Sequence, residues 1–171
     1  PEAGMIRKEK GRYYLCPDDF TGLLPLLDGC SHIRVLWWFS RFDKPEYRRA
    51  TQGEPPYENA PRSGVFATRS PVRPNPVALT VAKVIGIDHA GRRIEVSGLD
   101  CFDRTPLLGI RPYLPATDNV TAFTVPSWLE HWPEYKEMEE TAADAAIELN
   151  KGSVQVLEQY LKPGRADVSD D

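Results

Sequence analysis

Between residues 12 and 113 the apolar side chains come in runs of strand length, and turns rather than helices separate one run from the next. Residues 12–16 form the first run. Residues 31–39 (Ser-His-Ile-Arg-Val-Leu-Trp-Trp-Phe) form the strongest, a near-continuous apolar stretch that predicts a strand covered on both faces. Residues 77–87 predict a second long strand. Asp88-His89-Ala90-Gly91 then turns the chain into residues 92–98, a hairpin signal, and residues 107–113 add a strand broken by Pro112. Strands linked in this way argue for an antiparallel sheet or barrel and against a β-α-β fold. The 171 residues suffice for one domain with a real core.

The segments around these runs are less regular. Residues 1–10 are polar and unpatterned, Pro17-Asp18-Asp19 signals a helical turn reaching residue 27, and residues 43–62 predict a long loop, either a functional flap or partly disordered. Residues 64–68 read as a short buried strand. Pro71, Pro74 and Pro76 then hold the next residues out of both strand and helix. That stiff loop carries Arg69, Ser70, Arg73 and Asn75, which read either as guanidinium and amide groups preorganised for a planar or anionic ligand or as solvated side chains on a Pro-rich connection.

After residue 133 the pattern changes. Residues 134–150 predict a helix with Met138, Ala142, Ala145, Ala146 and Leu149 along one face, stopped at Gly152, and residues 153–161 a second. The tail after Pro163 is acidic and reads as disordered. The expected organisation is thus a β domain at 1–118, a helical extension at 119–162 and a tail at 163–171. Charge follows it: residues 57–113 hold eight basic against five acidic side chains, residues 114–171 four against twelve. An anionic partner should therefore meet the middle of the chain.

No apolar run reaches the roughly 20 residues of a membrane span, and the start of the sequence shows no secretory signal. Cys16, Cys30 and Cys101 are odd in number and unspaced, which predicts reduced thiols, a cytoplasmic setting and no zinc site. None of the twelve glycines lies two from another, so dinucleotide and phosphate-loop fingerprints are absent. His32, His89 and His131 fit no metal spacing; His32 reads as a hydrogen-bonded core residue and His89 as solvated. Trp37 and Trp38 read as core, and Trp128 with Trp132 as packing for the C-terminal segment. Asp100 and Asp103 are either turn formers or a proton-handling pair.

Three segments carry a resemblance. They are residues 64–76 (Gly-Val-Phe-Ala-Thr-Arg-Ser-Pro-Val-Arg-Pro-Asn-Pro), residues 99–106 (Leu-Asp-Cys-Phe-Asp-Arg-Thr-Pro) and residues 110–115 (Ile-Arg-Pro-Tyr-Leu-Pro). With the Trp-Trp strand upstream, the sequence over about residues 12–118 resembles the TsaA/TrmO, or YaeB-like, family. The resemblance implies a small antiparallel β-barrel with short C-terminal helices that binds S-adenosylmethionine and methylates N6 of a threonylcarbamoyl-adenosine beside the tRNA anticodon. It implies cofactor contacts at Ser40, Arg41, Arg69, Leu79, Ser97, Gly98, Leu99 and Asp100. Arg73, Asn75, Arg104 and Arg111 would meet tRNA, and Asp100, Asp103 or Tyr113 would take the N6 proton. A homodimer is implied as well, and no metal.

The chain departs from the family pattern at Ser40, where histidine is common, at Arg104, where glycine is usual, and at Gly109, where aspartate is usual. The family's first strand is expected to be missing, with Pro1-Glu2-Ala3 in place of a Pro-Arg-Gln loop. Two other readings stay open: a methyltransferase for a small molecule or another RNA, and a non-catalytic S-adenosylmethionine-binding protein.

Overall fold

The computed structural model describes residues 3–21, 29–53 and 60–130. Six strands close into a barrel: β1 (Gly4–Glu9), β2 (Arg12–Pro17), β3 (His32–Trp38), β6 (Val77–Asp88), β7 (Arg93–Ser97) and β8 (Thr105–Pro112). Their order around the wall is β1-β2-β7-β6-β3-β8, with β8 returning to β1, and every pairing is antiparallel. Two further strands, β4 (Gln52–Gly53) and β5 (Ser63–Gly64), pair with each other in the long connection between β3 and β6. Short helices α1 (Pro45–Arg48) and α2 (Pro115–Asp118) cap two connections.

Alternation along each strand sends one set of side chains inward. Ile6, Leu15, Ile33, Val35, Ile94 and Leu107 are fully buried and fill the barrel. Each removes apolar surface from water worth about 1.5–3 kcal/mol. Trp37 joins them and donates its indole N–H to Thr80 Oγ1 at 3.2 Å.

The outer face of β3 is only half covered, unlike the expected two-sided burial. Arg34, Leu36 and Trp38 alternate with the buried residues because a barrel has one interior. What covers them is local. Arg34 pairs with Asp118 of α2 at 2.5 Å, and Trp38 donates to Asp43 at 3.0 Å beneath the Arg48 guanidinium. Trp38 is therefore a wall residue, and the expectation that it is core is corrected.

Two further expectations change. Residues 4–9, read as unpatterned, form β1, the strand that closes the ring. The backbone at Gly4 requires glycine: its φ is +140°, and a Cβ would lie 2.4 Å from the Cys16 carbonyl oxygen. Residues 64–68 are not a buried strand. After the two residues of β5 the chain makes a 3-10 turn at Val65–Ala67, burying Val65 alone. The Val65 N–H donates to the Thr51 carbonyl, and Thr68 Oγ1 caps the Val65 carbonyl at 3.0 Å. Strand β8 starts at Thr105, and Pro112 is its last residue rather than a break within it.

The hairpin between β6 and β7 forms as expected, with Asp88 accepting from the Gly91 N–H at 2.8 Å. His89 is exposed in that turn. His32 is half-buried at the start of β3, its Nδ1 2.9 Å from Ser31 Oγ, so it is hydrogen-bonded but not core. The helical turn expected up to residue 27, both C-terminal helices, the acidic tail, His131 and Trp132 lie outside the described residues.

Candidate active site at one end of the barrel

Because neighbouring strands alternate in direction, every second connection emerges at the same end of the barrel. The C-termini of β1, β7 and β3 and the N-termini of β2, β6 and β8 share one end. That end receives the β1–β2 turn, the long β3–β6 connection with its proline-braced loop, and the β7–β8 connection. The last of these is unusual in its path. Strands β7 and β8 stand opposite each other in the six-membered ring, so residues 98–104 cross the barrel mouth. Leu99 and Cys101, each 6% exposed, point into the core and plug it. Burial pushes the Cys101 thiol up to about 12, which keeps it protonated and unreactive.

The positions implied as cofactor contacts arrive at this mouth from separate connections. Ser40 and Arg41 occupy the 3-10 turn after β3. Arg69, exposed, lies in the loop that enters β6, and Leu79, the third residue of β6, faces outward at 41% exposure. Ser97 ends β7, and Gly98 turns away from it at φ +84°, a conformation open to glycine. Residues 77–82 of β6 run on past the last β7 pair, Lys83 with Ser97. One direct contact ties two of these connections together: the Arg41 guanidinium lies 3.8 Å from the centre of the Phe102 ring.

The proline-braced loop is held without a ladder. Phe39 N–H donates to the Pro76 carbonyl at 2.8 Å and Arg48 Nη1 to the Pro74 carbonyl at 3.3 Å. Within the loop, Ser70 N–H donates to Thr68 Oγ1 and Val72 N–H to Ser70 Oγ. Pro76 is fully buried and anchors the loop's end. Arg73 and Asn75 are thus carried by a rigid frame.

The three candidate proton acceptors separate. Asp103 accepts from the Lys8 backbone N–H at 2.8 Å and from Arg7 Nε at 3.2 Å. The Lys8 N–H, helped by Arg7, holds its carboxyl below the usual carboxylate range, so it staples β1 to the mouth and is a weak base. Tyr113 lies past the end of β8, its N–H donating to the His32 carbonyl, at the opposite end of the same barrel. Asp100 is exposed on the crossing segment. Of the four residues implied for tRNA, Arg73, Asn75 and Arg104 sit at the mouth. Arg111 pairs across from Arg34 on the outer wall, toward the other end.

Charge divides the same way. Among the described residues, segments 7–12, 40–53, 60–76 and 98–104 at the mouth hold twelve basic against five acidic side chains. Segments 17–21, 29–31, 88–92 and 112–119 at the far end hold one against four. A shallow depression of about 200 Å³ lined by Tyr14, Gly86 and Arg93 lies on the wall toward that acidic end. The sequence reading passed over Phe102, whose ring receives Arg41. Its flanking aspartates drew attention instead, and no local signal marks it. No group of acidic, histidine or cysteine side chains suited to a metal occurs among the described residues.

Comparison with known proteins bears on the same segment. The model of the tRNA-methyltransferase O N-terminal domain family matches residues 2–119. A probable S-adenosyl-L-methionine-binding protein of Archaeoglobus fulgidus is 38% identical over 120 residues, covering 70% of this chain and 31% of that protein. The tRNA (adenine(37)-N6)-methyltransferase of Mus musculus is 32% identical over 142 residues, covering 83% of this chain and 29% of its own. The chain thus spans under a third of the length of either relative. The crystal structure of TrmO from Pseudomonas aeruginosa superimposes with a TM-score of 0.52 at 25% identity, over 96% of this chain and 83% of that one.

Proposed function

Since the chain belongs to the tRNA-methyltransferase O N-terminal domain family, we propose that it transfers a methyl group from S-adenosylmethionine to N6 of adenine 37 in tRNA. What supports this reading is that the β3–β6 and β7–β8 connections, which carry Ser40, Arg41, Arg69 and Gly98–Asp100, leave the barrel at one basic end, with the Arg41 guanidinium over the Phe102 ring. The residues present suit the cofactor. Gly98 at positive φ lets a ligand approach the backbone closely, Leu79 offers outward apolar surface, and Asp100 a carboxylate for a cationic centre.

S-adenosylmethionine supplies an electrophilic methyl carbon on a sulfonium, whose sulfur departs as a neutral thioether when the carbon–nitrogen bond forms. The chain's own residues align donor and acceptor and keep water out. Arg69 positions the donor, because a guanidinium stays charged and cannot serve as a base. Asp100, exposed on the segment that crosses the mouth, accepts the proton that N6 must lose; Asp103 is a weaker base because the Lys8 N–H and Arg7 hold its carboxyl low, and Tyr113 stands at the other end. Arg73, Asn75 and Arg104 hold the RNA. The finer acceptor is a threonylcarbamoyl-adenosine, the setting the cytoplasm, and the working form a homodimer that covers Ile85, 52% exposed on β6.

The test is transfer of labelled methyl from S-adenosylmethionine to bulk tRNA from cells lacking the homologue, with tRNA lacking the threonylcarbamoyl group alongside. Label in the first alone supports the full reading. Label in both retains tRNA methylation and removes the finer acceptor. Cofactor binding without transfer would reduce the protein to an S-adenosylmethionine-binding one, as the archaeal relative is named.

A further inference from the structure

We infer that Phe66 and Arg73 form a stacking platform for an unpaired base of the RNA, outside the cofactor contacts. This rests on the tRNA reading above and deepens it, adding Phe66, which that reading leaves unused, and giving Arg73 a stacking partner.

Phe66 is 76% exposed, the most exposed large apolar side chain among the described residues. Its neighbour Val65 is 2% exposed, so the 3-10 turn is fastened to the protein by one residue and presents the next to solvent. The turn is rigid at both ends. Val65 N–H donates to the Thr51 carbonyl at 3.0 Å, and Thr68 Oγ1 donates to the Val65 carbonyl at 3.0 Å. Folding gains little from a phenyl ring held out in this way, because most of the ring stays in water.

The Arg73 guanidinium lies 5.9 Å from the centre of that ring. Its own loop is fixed on either side by the Val72-to-Ser70 and Arg48-to-Pro74 hydrogen bonds. An exposed aromatic ring with a guanidinium over it is what single-stranded RNA recognition uses, since every base has a π-face and carries a phosphate next to it. The surroundings favour a nucleotide over an apolar protein partner. Arg49, Arg62 and Arg69 lie in the same connection, exposed and without an ion-pair partner among the described residues, and an apolar partner would desolvate them uncompensated.

The experiment uses the full chain and an anticodon stem-loop RNA, with binding followed by fluorescence anisotropy and S-adenosylmethionine affinity by calorimetry. Phe66→Ala should weaken RNA binding about 5- to 150-fold, the usual worth of one stacked base. Cofactor affinity and melting temperature should stay as in the wild type. Phe66→Tyr should restore binding, whereas Phe66→Leu, apolar but without a π-face, should not. One abasic position in the RNA loop should reproduce the loss and leave Phe66→Ala without further effect. Should wild-type protein methylate tRNA while Phe66→Ala binds the stem-loop equally well, the platform alone is refuted. Should Phe66→Leu bind like wild type, the contact is merely apolar and the platform is refuted too. A wild-type chain that binds no tRNA overturns the RNA reading and the platform with it.

Discussion

At the scale of single residues, exposure and partners decide what each side chain is for. Arg69 is exposed and has no hydrogen-bond or ion partner among the described residues, so the fold does not depend on it. Arg69→Ala should leave the melting temperature unchanged and weaken S-adenosylmethionine binding about tenfold or more by calorimetry, in line with loss of a charged hydrogen bond. Unchanged affinity would take Arg69 out of the site. Gly4 is the opposite case. Its positive φ and the Cys16 carbonyl beside it leave no room for a methyl group, so Gly4→Ala should cost more than about 1 kcal/mol in urea unfolding. Asp103 gives a pH signature. Its carboxyl is held below its ordinary 3.8 by the Lys8 N–H and Arg7, so its stabilisation is complete above that value and is lost as pH falls below it. Urea midpoints of Asp103→Asn should therefore fall less steeply than those of the wild type between pH 5 and 3.

At the scale of elements, the interior residue that closes the ring is the sensitive one. Leu107 is fully buried where β8 meets both Gly4 of β1 and Trp37 of β3, so Leu107→Ala should destabilise by about 2–5 kcal/mol, measured by chemical unfolding. The strands that carry their own pattern were legible in the sequence: β3 through its near-continuous apolar run, though not its one-sided burial, and β6 and β7 through the Asp88–Gly91 turn. Strand β1 was not, because Gly4–Glu9 has two apolar residues, Met5 and Ile6, followed by charge. Its strandhood comes from partners at each side that are distant in sequence. Residues 65–67 misled in the other direction, since Val-Phe-Ala suits a strand and only the lack of a long partner makes them a turn. The proline loop was readable as a stiff segment outside strand and helix, because its three prolines fix the backbone locally. The plug formed by Leu99 and Cys101 was not, because nothing local says that β7 and β8 end up opposite each other.

At the scale of the whole molecule, the two ends of the barrel differ in charge, and this has a measurable result. tRNA affinity should fall about 50-fold between 50 and 200 mM salt if about four phosphates are contacted. Neutralising mouth residues Lys10 and Arg104 should flatten that dependence, whereas Arg92→Gln at the far end should leave it alone; equal effects would mean that the RNA does not approach the mouth. The seam between β1 and β8 carries a further consequence. Lys8 waits for Asp103, 95 residues later in the chain, before its backbone N–H finds this acceptor. On the ribosome, the first hairpin emerges long before the strand that completes the ring has been made. Until then the nascent sheet has two raw borders, each a template for a neighbouring polypeptide. A message truncated ahead of Thr105 would yield a fragment prone to clump rather than a smaller working barrel.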